Sequence, residues 1–204
     1  MRMKNKWIKR LRSPERWGHT EQIRMIRTNI YHMMDDRRPI VLITSPKENK
    51  WQPFFSAKLA SSFAEAGKKV LLVDMDFRHP MLHQLLRLHL PAGLSNMLRG
   101  EEGTVYKGFI ENLYILPAGS VSVCLEDMEE MEQWLLEWQD RYDLILLHAP
   151  SFLETADAQI LAAACRNIIL MIQENKTTKQ DLLDVKKTLE RINSTIVGAV
   201  YQTS

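Results

Sequence analysis

The chain has 204 residues, 45% hydrophobic and 25% charged, which suits one globular domain with a full core. No apolar run approaches the roughly 20 residues that a membrane-spanning helix needs, and the opening MRMKNKWIKRLRSPERW lacks the apolar centre of a signal peptide, so a cytoplasmic protein is expected. The net charge of +2 divides unevenly: residues 1–17 carry seven Lys or Arg against Glu15 alone, giving +6 and leaving −4 for the rest.

That basic arm, residues 1–17, holds Trp7 and Trp17. It suits an anionic membrane surface or an acidic partner, which would make the protein peripheral to the inner face of the cell membrane. The plainer reading is a solvated terminus. The acidic remainder, residues 18–204, makes nucleic acid the least favoured partner. A helix is expected over His19–Met34, with Glu21, Arg24 and Arg27 three apart and so on one face.

Strand and helix then alternate. Short apolar runs predict strands at Ile40–Thr44, Lys69–Asp74, Leu113–Leu116, Asp143–His148, Ile168–Ile172 and Thr195–Tyr201. Helical patterns fall at Pro53–Ala66, Pro80–Leu88, Met128–Trp138, Thr155–Cys165 and Lys179–Ile192. Continuously apolar strands such as VLLVD and LILLH belong in a sheet covered on both faces. The fold class is a doubly wound α/β domain with a mostly parallel sheet. Ligands of such folds sit beyond the carboxyl ends of the strands, so the loops after Thr44, Asp74 and His148 should lie together. In the acidic helix EDMEEMEQWLLEWQDRY, Trp134, Leu135 and Trp138 are expected to face the core. Cys124 and Cys165 read as buried free thiols of a reducing compartment.

The first of those loops, in TSPKENKWQPFFSAKLA, stands where a phosphate loop belongs, yet no glycine occurs between Gly18 and Gly67. The second, VLLVDMDFRHP, ends a strand with Asp74 and Asp76 beside Arg78, a pair suited to holding magnesium or positioning a hydroxyl. His79 and His83, four apart beside these acids, suit packing or capping better than zinc; no metal site is assigned.

Several stretches in order resemble the cytoplasmic domain of bacterial protein-tyrosine kinases of the capsule and exopolysaccharide type, relatives of the septum-site and partition ATPases. GHTEQIRMIRTNI is similar to the family's Glu-x-x-Arg-x-x-Arg helix, and Thr44–Ser45 to the lead-in of its phosphate loop. KLASSFAEAGKKVLLVDMDFRHPMLH, PAGLSNMLRG, YDLILLHAPS, TADAQIL and VGAV match later landmarks across residues 18–202. The resemblance implies a P-loop fold, ATP and magnesium as cofactors, tyrosine phosphorylation, and ring assembly through Glu21, Arg24 and Arg27.

Departures fall at the chemistry. Asn49 and Trp51 stand at the loop's glycines, Gln52 at its lysine and Pro53 at its hydroxyl residue. Tryptophan would deny phosphate its backbone nest and fill the space. Gln52 lacks the lysine's charge, and Pro53 has neither N–H nor hydroxyl. His148 replaces the aspartate that supports magnesium, a hard ion that prefers oxygen. Lys47 and Lys50 lie near the lost lysine but are read as solvated, and the family's tyrosine-rich tail has no counterpart after YQTS. The expectation is a catalytically impaired member, a pseudokinase, needing no cofactor. It would act by associating with itself, with an active paralogous kinase or with a membrane-anchored activator. Two alternatives stand: an active ATP-dependent tyrosine kinase using magnesium, Lys50 and Asp76 in a rebuilt site, and a partition-type positioning protein riding on membrane or nucleoid.

Overall fold

The computed structural model describes residues 20–33, 39–85, 88, 92–121, 123 and 131–203. The basic arm and Cys124 lie outside the described residues, as do the first positions of the acidic helix.

Chain order runs α1 (Thr20–Met33), β1 (Ile40–Thr44), α2 (Gln52–Glu65), β2 (Val70–Asp74), α3 (Leu82–Leu85), α4 (Leu94–Leu98), β3 (Tyr106–Lys107), β4 (Leu113–Leu116), α5 (Met131–Arg141), β5 (Leu144–His148), α6 (Ala156–Cys165), β6 (Asn167–Gln173), α7 (Lys179–Arg191) and β7 (Thr195–Gln202). The described strands form one sheet in the order β3-β4-β2-β5-β1-β6-β7, parallel except for the β3–β4 pair. This is a doubly wound, P-loop-like arrangement, as the apolar strands implied.

Successive strand residues point to opposite faces, and here both faces are apolar. Leu42, Leu71, Ile145 and Ile168 join one cluster with α5, α6 and α7; Val41, Leu72, Leu146 and Ile169 join another with α1, α2 and α3. Leu135 and Trp138 are buried in the first cluster and Trp134 packs against it, so these residues of α5 serve the core. Cys165 is buried there too, where loss of solvation pushes its thiol up to about 12.

Local chemistry sets the ends of the elements. Gly67, at φ +84°, lets the chain leave α2, with its N–H donating to Ala64 O. α6 starts on Thr155, whose hydroxyl accepts from the Ala158 N–H, and α7 starts on a reciprocal Thr178–Asp181 capping box. Some boundaries differ from the sequence expectation. The described part of α3 is Leu82–Leu85; it starts two residues later than Pro80 because Met81 and Leu82 donate their N–H groups back to Asp74. α5 runs on to Arg141, three residues past the expected end, since no helix breaker intervenes. α4 and the short β3 were not foreseen. α4 is seated where a Cβ on Gly93 would stand 2.2 Å from Pro117 O, a close approach that only glycine allows.

Topology gathers the site. β5 lies between β1 and β2, with His148 level with both Ile43 and Asp74, so three strands end side by side. Phe55, fully buried in the cluster shared by α1, α2 and the sheet, anchors α2. Phe55→Ala should cost about 3–5 kcal/mol in urea denaturation. Leu136→Ala, at a position 65% exposed, should cost less than about 0.5 kcal/mol.

Candidate functional site

The loops after β1, β2 and β5 meet around a cleft of about 510 Å³. Of the residues singled out from the sequence, Asn49, Lys50, Gln52, Pro53, Asp76, Arg78, His79 and His148 line it. Ser45 lies buried behind it; Trp51 and Asp74 do not line it.

Gln52 is the centre of the arrangement. It opens α2 and is 4% exposed. Its Nε2 donates to Ala149 O at 2.6 Å and Ile43 O at 3.1 Å, and its Oε1 accepts from Ser45 Oγ at 2.7 Å. Two facing carbonyls fix which end of the amide carries the protons. His148 Nδ1 lies 3.3 Å from both Gln52 Nε2 and Ser56 Oγ. Burial drives the imidazole down to about 3, so it is neutral.

The loop's path explains its missing glycines. Among the described residues, none from Ser45 to Pro53 has positive φ, and Trp51 sits at φ −99°, ψ −13°. Its amides are turned to the chain's own acceptors: Glu48 N–H to Glu154 Oε2 (3.0 Å), Trp51 N–H to Asn49 Oδ1 (3.0 Å), Gln52 N–H to Asn49 O (3.0 Å). Pro53, the second residue of α2 rather than the first, has no N–H to offer. A phosphate nest needs such groups converging on one point. Here the N–H groups of Glu48, Trp51 and Gln52 are spent on the chain itself.

Three expectations are corrected. Trp51 does not fill the phosphate space; its ring packs on Phe54, 5.7 Å between centroids, against the α1–α2 side of the core. Gln52 fills it instead, its two amide protons meeting two carbonyls where an indole would offer a single N–H. Asp74 and Asp76 do not act as a pair. Asp74 is fully buried and accepts from the N–H groups of Asp76, Met81 and Leu82, while Asp76 Oδ1 accepts from the His79 N–H. Burial pushes Asp74 up to about 7 despite those donors. Lys47 is not a solvated loop lysine; it reaches Asp181 Oδ2 at 2.9 Å, tying the loop to the start of α7. The Thr178 N–H first, then Lys47, hold Asp181 down at about 2.

The α1 triad divides as well. Arg24 Nη1 meets Glu21 Oε1 at 2.8 Å on an exposed face, but Arg27 Nη1 donates to Ser62 O at 2.7 Å in α2. Sequence reading missed Glu154, Ser56 and Asp181. Asp181 carried a signal, three residues after Thr178 as a capping box requires. Glu154, which turns out to contact Glu48 across 106 residues, carried none.

His148 makes stability pH-dependent. Its folded value lies below the usual 6.5, so its contribution is complete above that value and lost as pH falls from it toward 3. Asp74 acts in the opposite sense, its contribution falling as pH rises from its ordinary 3.8 to about 7. Comparing wild type with His148→Asn cancels the Asp74 part. In urea denaturation, wild type should lose about 2 kcal/mol relative to the variant on going from about pH 8 to about pH 5.

An AAA domain family matches residues 54–200. The tyrosine-protein kinase YwqD of Bacillus subtilis (strain 168) is 32% identical over 189 residues, covering 89% of this chain and 80% of that protein. The kinase domain of the Escherichia coli tyrosine kinase ETK superposes with a TM-score of 0.81 at 25% identity, covering 91% of this chain and 76% of that one. The septum site-determining protein MinD from Pyrococcus horikoshii OT3, complexed with Mg-ADP, gives a TM-score of 0.67 at 25% identity over 79% of this chain and 68% of that one. With the AAA match over most of its length and a tyrosine kinase relative aligned along nearly all of it, this chain belongs to the bacterial tyrosine-protein kinase family.

Proposed function

We propose that this member of the family is a pseudokinase that scaffolds or regulates capsule or exopolysaccharide assembly and does not itself phosphorylate tyrosine. The observation carrying this reading is the Gln52 side chain, bonded to Ile43 O, Ala149 O and Ser45 Oγ in the floor of the cleft. A nucleotide would have to displace those bonds and gain no lysine charge in return. The charge around the cleft supports the same conclusion. Glu48, Asp76 and Glu154 face Lys50 and Arg78, a formal −1, and Arg78 lies 3.6 Å from Asp157. Phosphoryl transfer depends on neutralising and positioning phosphate, and here the balance is reversed.

The partners proposed are a second copy, an active paralogous kinase or a membrane-anchored activator, with residues 1–17 resting on anionic lipid. Glu21 and Arg24 would carry the polar contact, as Arg27 is engaged by Ser62. Among the described residues no helix is long and apolar enough to cross a membrane, so attachment would come through the arm or the activator.

The rebuilt-kinase reading has one observation in its favour: Lys50 and Asp76 line the same cleft. Thermal denaturation separates the two. A micromolar site filled by about 1 mM Mg·ATP would add about 4 kcal/mol, a rise of many degrees. No shift is expected, and no transfer of label from γ-labelled ATP to tyrosine; a shift or transfer would reinstate the enzyme. For assembly, Arg24→Ala should lower self-association in sedimentation by at least about tenfold with the melting temperature unchanged. Arg27→Ala should instead lower the melting temperature by loosening α1 from α2.

A further inference from the structure

β7 closes the sheet at one end, and among the described residues no strand covers its outer edge. Free edges are hazardous, and proteins guard them with lysines, prolines, bulges or overlying segments. The sequence of β7, TIVGAVYQ, has no charge and no proline. Its one such device is a bulge: Ile168 and Ile169 pair with Ile196 and Gly198, leaving Val197 extra. Beyond the bulge, Gly198–Gln202 runs regularly against β6 with nothing to deter a further strand.

Beside this segment lies a groove of about 340 Å³ between β7 and α1, lined by Gln22, Met25, Asn29, Ala199, Val200 and Tyr201 among others, all uncharged. Met25 is 64% exposed and Tyr201 61%. Glu21 and Arg24 do not line it, so it is distinct from the polar face of α1.

We infer that the outer edge of β7 pairs antiparallel with the same edge of a second copy, joining two sheets about a twofold axis at Val200. The edge's own chemistry selects that occupant. Centred there, Val200 faces Val200, Ala199 faces Tyr201 and Gly198 faces Gln202, so every pair is uncharged and the two inner kinds of pair are apolar or aromatic. The strip itself carries no charge, so two copies of it meet without repulsion between their own side chains. A shift of register by more than a residue or two would drive the partner into the Val197 bulge.

The test is sedimentation velocity of the full chain from about 1 to 300 µM, with Tyr201→Lys and Ala199→Lys, both exposed positions, checked for fold by circular dichroism. Wild type should dimerise, and either lysine should weaken it by at least about tenfold. Val200→Cys in a Cys124→Ser background should form a dimer crosslink under mild oxidation; buried Cys165, its thiol pushed up to about 12, stays unreactive. The crosslink reads this edge whatever the polar face of α1 does. A monomeric wild type at the highest concentration would overturn the inference. So would lysine variants that dimerise as well as wild type, or a dimer that forms only once residues 1–17 are deleted, which would give the edge to the arm.

Discussion

The carbonyls of Ile43 in β1 and of Ala149 just after β5 face one small space; Ile43 O already accepts from the Ala149 N–H, while a buried Ala149 carbonyl without a donor would be costly. The Gln52 amide answers both, while Ser45 Oγ satisfies its other end. Much of the site follows from this. Gln52 holds the first turn of α2 to the ends of two central strands. His148 stays neutral in the space left beside it. The loop between β1 and α2 needs no glycine because none of its described residues adopts positive φ. A lysine at the same place would bury a charge among carbonyls with no anion opposite; the amide has the same reach without that cost.

Around this centre the other loops are bound to the chain itself. Ala149 and Phe152 donate their N–H groups to Ile43 O and Ser45 O, joining the first and third loops backbone to backbone. Asp74 gathers three amides of the second loop. Lys47 and Glu154 bind the first loop to α7 and to the approach to α6. Several polar groups of these loops are thus satisfied internally and hold the loops to one another.

The sequence made the scaffold legible because its signals are local and repeated. VLLVD and LILLH announce strands buried on both faces, Gly67 announces the end of α2, and the boundaries of β1 and β4 could be read directly. The identities at Gln52, Pro53 and His148 also located the altered chemistry. Side-chain direction was not legible. Trp51 is the bulkier residue and invited the space-filling role, but only the surroundings reveal that the carbonyls demand an amide and that the indole has Phe54 to lie against. Asp74 and Asp76 sit two apart at a strand end, a spacing that cannot show the strand stopping between them so that one carboxylate turns inward. α4 and β3 are too short for any periodicity to register.

The bond from Arg27 to Ser62 has a mechanical consequence. It riveted together a helix on the outside of the molecule and the helix whose opening residue plugs the cleft. Anything that grips the outer helix therefore pulls on the plug, through a lever one helix long. A protein built this way can feel its neighbours through that one bond.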